Sequence, residues 1–145
     1  MKKVLVIHGP NLNLLGTREP EIYGTDTLDQ INQEIEAHAE KLGLTVACHQ
    51  SNSEGKIIDV LQAYRTGIAG VIINPGGFSH TSVAILDALL SLEVPAVEVH
   101  LSNLFKREEF RRKSITASGT VGIISGLGKR GYLLALDYLA QVRKT

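Results

Sequence analysis

Seven polar side chains in this sequence are of types that move protons or hold anions: Asn11, Arg18, Tyr23, Asn74, His80, His100 and Ser102. His100 is two residues after Glu98, which places both on one side of a strand and lets the carboxylate orient or charge the ring. The alternative is a strand-end histidine satisfied by its surroundings, and the Glu98 partner tilts the choice towards acid–base work. Arg18 and Tyr23 share one loop. A free phenol ionises near pH ~10 and serves as a base only with a cation beside it. His80 stands near a helix start, which favours a neutral imidazole able to bond a polar ligand. Arg107 and Arg111 lie just beyond Ser102, within reach of the same place, although a solvated helix face is their default.

What gathers these residues is the order of the elements. Residues 3–8 form a β-branched strand buried on both faces. The polar segment of residues 9–24 comes next, far longer than the about two to six residues of an ordinary βα loop. It reads as a binding loop in which Leu12, Leu14 and Leu15 anchor to the core and Arg18 begins a lid carrying Tyr23. Thr27 and Gln30 make a capping box for a helix with apolar positions Leu28, Ile31, Ile35, Ala39 and Leu42. Further strands are expected at 44–49, 70–74, 96–100 and 119–125. The intervening helices start from Ser53, carry Val83, Leu86, Leu89 and Leu90, run over 106–112, and close the chain at 132–142. Strand–helix alternation of this kind specifies an α/β fold, a parallel sheet with helices on both faces. The default order for five strands is the flavodoxin-like 2-1-3-4-5. Its switch point lies between strands 1 and 3, where the loops bearing Asn11, Arg18, Tyr23, Asn74 and His80 meet the end of strand 4 with His100 and Ser102. Asp87 sits two turns into its helix, beyond reach of that pocket and exposed by default.

A chain of 145 residues is the size of one domain, expected here to be a single catalytic one, and fifteen acidic against fifteen basic residues give no charge excess suited to nucleic acid or an anionic membrane. The lone Cys48 reads as a small buried hydrophobe. With no signal-peptide core and no membrane-length apolar run, a cytoplasmic protein is expected. Gly126-Leu-Gly-Lys-Arg-Gly131 matches G-x-G-x-x-G, but the following strand and acidic residue of a dinucleotide site are missing. A tight turn with close helix packing is the better reading. From the residues alone, an enzyme, a small-anion or nucleotide-binding module and, as a weaker third reading, an assembly protein with a vestigial pocket all remain open.

Five segments narrow the choice: Gly9-Pro-Asn-Leu-Asn-Leu-Leu-Gly-Thr-Arg-Glu-Pro20 with Tyr23-Gly24, Gln50-Ser-Asn-Ser-Glu-Gly55, Asn74-Pro-Gly-Gly-Phe-Ser-His-Thr-Ser82, Glu98-Val-His-Leu-Ser-Asn103 and Arg107-Glu-Glu-Phe-Arg111. In these the chain resembles, from end to end, the type II 3-dehydroquinate dehydratases. Small departures are His8, where that family often has Asn, and Gly77, where it often has Ala; His8 bears on the pocket floor. The resemblance implies a flavodoxin-like fold and reversible dehydration of 3-dehydroquinate to 3-dehydroshikimate without metal or organic cofactor. It also implies a dodecamer built from trimers. By position it makes Tyr23 the base, His100 the acid, Arg18 the stabiliser of charge and Asn11 the holder of a water at a developing enolate. Asn74, Ser102 and the backbone at Leu101 would hold the substrate carboxylate. His80 and Arg111 would contact ring hydroxyls, and Asp87 would serve a neighbouring subunit's site. The same dehydration can proceed through a lysine imine, but no lysine leaves a central strand end, which argues against a Schiff base.

Overall fold

Strand β1, Lys2–His8, is exposed at its first two residues and buried over the last five. The computed structural model describes residues 2–17 and 19–142. β1 pairs in parallel with β2 (Leu44–Gln50) on one side and β3 (Gly70–Asn74) on the other. β4 (Ala96–His100) and β5 (Gly122–Ser125) extend the sheet, giving the order β2-β1-β3-β4-β5 anticipated from the alternation of elements.

Alternate strand residues feed two cores, as the two-residue period of a strand requires. Val4, Val6, Ile72, Val97 and Val99 face α2 (Leu28–Lys41) and α5 (Arg130–Val142), meeting Ile31, Ile35, Leu136 and Leu139. Leu5, Ile7, Val71 and Ile73 face α3 (Glu54–Ala63) and α4 (Val83–Leu90), meeting Ile57, Leu61, Ile85 and Leu89. The Thr27–Gln30 capping box is formed in full at the start of α2. α1, which precedes it, is the single turn Pro20–Tyr23.

Four local expectations are corrected. Leu14 is 46% exposed, whereas Leu12 and Leu15 are buried. The loop forms a 3₁₀ turn over Leu12–Leu14, in which i and i+3 eclipse, so Leu12 and Leu15 share the inner side and Leu14 is turned outward. In α4 the buried stripe is Ile85, Ala88 and Leu89, while Val83 and Leu90 are exposed. A helix apolar at every position but Asp87 gives periodicity no polar face to read. β5 begins at Gly122 rather than Gly119, because residues Thr116–Gly119 form a 3₁₀ turn pinned by the buried Thr116 hydroxyl, which donates to Glu98. Residues 106–112 are not one helix. Two 3₁₀ turns, Leu104–Lys106 and Glu109–Arg111, are separated by the extended backbone of Arg107.

Two glycines are dictated by close approach. A Cβ on Gly9 would lie 2.5 Å from the carbonyl of Pro75, so the loops leaving β1 and β3 touch only because Gly9 has no side chain. At Gly126 a Cβ would lie 2.8 Å from that of Asn103, and the backbone there has φ +92°. The amides of Gly126 and Gly128 donate to the carbonyls of His100 and Leu101. The glycine-rich turn is therefore structural, bracing the end of β4.

Candidate active site

A cavity of about 290 Å³ opens at the carboxyl ends of β1, β3 and β4, where the order of strands reverses. Of the expected residues, Asn11, Tyr23, Asn74, His80, His100, Leu101, Ser102 and Arg111 line it. Arg18 lies outside the described residues. Asp87 is exposed on α4 and is not part of this cavity. None of the lysines among the described residues lines it.

On the β4 side, His100 Nε2 meets a Glu98 carboxylate oxygen at 2.7 Å. Glu98 is fully buried. The Ser114 hydroxyl also donates to it at 2.6 Å, and Thr116 donates to its other oxygen. Three donors thus compensate a buried carboxylate that would otherwise be costly. Because Nε2 is committed to Glu98, Nδ1 is the ring atom His100 offers to the cavity.

Elsewhere in the cavity lining, Arg107 Nη2 donates to the Tyr23 hydroxyl at 3.3 Å, and its guanidinium carbon stands 5.4 Å from the ring centroid. Nη1 of the same residue donates to Ser102 Oγ at 3.1 Å. The Arg107 side chain is only 13% exposed. Burial works to lower its pKa, but the hydrogen bond and charge of Tyr23, with Glu108 and Glu19, outweigh that and raise it. Arg107 was recognisable in the sequence only as a residue within reach. What separates it from its helical neighbours is the extended backbone at Arg107 between the two 3₁₀ turns, for which the sequence carries no periodic signal.

His80 ends the 3₁₀ turn Gly76–His80, ahead of the Ser82 cap of α4. Its Nδ1 donates to the Lys113 carbonyl at 2.8 Å, leaving Nε2 as an acceptor with only a long contact, 3.4 Å, to Ser79 Oγ. Asn11 sits at φ 69° at the head of the loop, its backbone N–H donating to Asn52 Oδ1 at 3.0 Å. Arg111 is paired with Glu108 at 2.9 Å. Asn74 accepts from the Gly76 amide through Oδ1 and donates through Nδ2 to the Tyr132 hydroxyl, both at 3.1 Å.

His8 does not line the cavity; it is fully buried behind Asn74. Burial lowers its pKa from the ordinary 6.5 to about 4, against a smaller opposing effect of its bond to Asn32. The unfolded chain therefore takes up this proton near pH 6.5 while the folded chain does not. Stability from this group is fully present above pH 6.5 and is lost as pH falls towards 4, by roughly 3 kcal/mol in all. Urea titrations at pH 7 and pH 4 should show that loss in the wild type and a smaller one in His8→Gln.

The model of the family described as class II dehydroquinase matches residues 2–140 of the chain. A 3-dehydroquinate dehydratase from Halothermothrix orenii is 54% identical over 144 residues, covering 99% of this chain and 97% of the relative. One from Clostridium botulinum (strain 657 / Type Ba4) is 52% identical over 139 residues, 96% of this chain and 95% of that one. Among solved structures, the type II dehydroquinase from Propionibacterium acnes superposes with a TM-score of 0.92 at 45% identity, over 97% of either chain.

Proposed function

The chain belongs to the class II dehydroquinase family, and from that premise we propose that it dehydrates 3-dehydroquinate to 3-dehydroshikimate through an enolate, with Tyr23 as base and His100 as acid. The observation that carries the reading is that one cavity is lined by a phenol bonded to a guanidinium and by an imidazole bonded to a buried carboxylate.

The substrate has a ketone, an acidic C–H beside it, and a hydroxyl one carbon further on. Tyr23, as phenolate, takes the proton from that carbon, and the C–H electrons pass into the carbonyl to give an enolate. Arg107 stabilises the charge on the tyrosine oxygen before the transfer, sharing the part that the resemblance gives to Arg18. Asn11 holds a water against the enolate oxygen. When the enolate collapses, the C–O bond to the leaving hydroxyl breaks on the opposite face, and His100 supplies the proton from Nδ1 so that water departs. The ring is left in the neutral Nε2–H form, which Glu98 accepts. Asn74, Ser102 and the backbone at Leu101 hold the carboxylate, while His80 and Arg111 hold ring hydroxyls and fix the geometry of elimination.

We read residues 1–145 as a single catalytic domain of a cytoplasmic enzyme serving aromatic amino acid biosynthesis. No helix among the described residues is long and apolar enough to cross a membrane. The exposure of Asp87 suits a side chain presented to a neighbouring subunit within a dodecamer of trimers. The purified protein given 3-dehydroquinate should develop the ultraviolet absorbance of a conjugated enone; none from well-folded protein refutes the reading. Light scattering should report a twelve-chain particle, and a monomer would remove Asp87 from the site.

A further inference from the structure

Behind Asn74 the structure has a buried chain of hydrogen bonds that reaches across to α2. Gly76 N–H donates to Asn74 Oδ1 at 3.1 Å, which fixes the amide's oxygen and turns Nδ2 to the Tyr132 hydroxyl, also at 3.1 Å. The Tyr132 oxygen accepts there, so its single proton must go to its other neighbour, His8 Nδ1, at 3.1 Å. His8 is then protonated on Nε2 and donates to Asn32 Oδ1 at 2.8 Å. His8 and Tyr132 are 0% exposed and Asn74 is 3% exposed. In this assignment every donor in the series faces an acceptor; with a proton on His8 Nδ1 instead, the buried Tyr132 hydroxyl proton would be left without one.

We infer that Tyr132 and His8 are positioning residues that fix the Asn74 amide with a donor, not an acceptor, towards the substrate's carboxylate. One Nδ2 proton is spent on Tyr132, and the second is what Asn74 can offer to the cavity it lines. Reversing the amide would set its oxygen against the Tyr132 oxygen, whose proton is committed to His8, and against a carboxylate. It would also set its NH₂ against the Gly76 N–H. The direction of the chain is stable to pH in the working range. Burial lowers His8 to about 4 and raises Tyr132 above the usual tyrosine range, so both stay neutral. Neither residue touches the cavity. They act through Asn74 alone, and that is the testable content.

The inference rests on the dehydratase reading, so wild-type turnover of 3-dehydroquinate is measured first. Its absence sinks that reading, whereas the variants of the buried chain test the positioning role alone. Tyr132→Phe removes one oxygen from a buried ring. It should raise KM about tenfold, a binding effect, while kcat stays within about threefold. In an Asn74→Ala background, where there is no amide left to orient, adding Tyr132→Phe should leave KM within about twofold. A residue that merely supports the fold would lower the melting temperature in both backgrounds and shift KM by the same factor in each, or in neither. Either of those results overturns the inference. Should Tyr132→Phe fail to fold, Asn32→Leu tests the half-buried far end of the chain. It should raise KM by about two- to threefold, again only while Asn74 is present, and an unchanged KM in that variant counts against the proposal.

Discussion

Tyr23→Phe should lower kcat by about a hundred- to ten-thousand-fold, the range expected for loss of a general base. Its melting temperature should stay within about two degrees of the wild type. The two readouts separate because the ring and the hydroxyl contribute differently. The ring packs against the α2–α5 core and lies beside the Arg107 guanidinium, and Phe keeps both contacts. The hydroxyl makes a long, half-exposed bond to Arg107, whose loss costs about 1 kcal/mol or less. All the reactivity lies in the oxygen. Arg107→Gln tests the other half of the idea. Near the surface a unit charge about 4 Å away is worth up to roughly 4 kcal/mol, much of which solvent takes over when the guanidinium is removed. The expected fall in kcat is on the order of tenfold. Full activity of Tyr23→Phe would remove Tyr23 as the base. A kcat for Arg107→Gln equal to that of the wild type would confine Arg107 to holding Ser102.

The frame of the site was legible because it derives from rules of long range. Alternation of strands and helices led to the order β2-β1-β3-β4-β5, and that order places the ends of β1, β3 and β4 together. His100 and Glu98 could be paired from the two-residue period of a strand alone. What escaped depended on short irregular backbone. Arg107 reaches Tyr23 because the chain is extended at one residue between two 3₁₀ turns, and no hydrophobic period marks such a break. Leu14 was misplaced for a related reason, since a single 3₁₀ turn assigns inside and outside differently from either regular period. The hydrogen bonds of His8 were hidden because its partners lie 24 and 124 positions away. A lone buried histidine shows in sequence only that something must satisfy it.

Glu98→Gln should lower kcat by about a hundredfold or more and destabilise the protein by about 1–3 kcal/mol, although only one oxygen changes to nitrogen. The reason is a count of donors. The carboxylate accepts from His100 Nε2, Ser114 Oγ and Thr116 Oγ1 in a fully buried site. A glutamine has one acceptor oxygen and two N–H donors, so at least one of the three groups must face a donor or turn away. The hydroxyls of Ser114 and Thr116 can rotate, but whichever way the amide is set, the charge-assisted bond that holds the imidazole becomes a neutral, weaker one. An imidazole held less firmly can turn, and turning withdraws Nδ1 from the cavity it lines. The defect should thus pass through His100. His100→Ala alone should cost about a hundred- to ten-thousand-fold in kcat, and adding Glu98→Gln to it should change kcat by no more than about threefold, as expected for residues that act as one unit. Steady-state kinetics on the two single variants and the double variant decide the point. A full, multiplicative loss in the double variant would mean that the carboxylate acts on the reaction by a route other than the histidine.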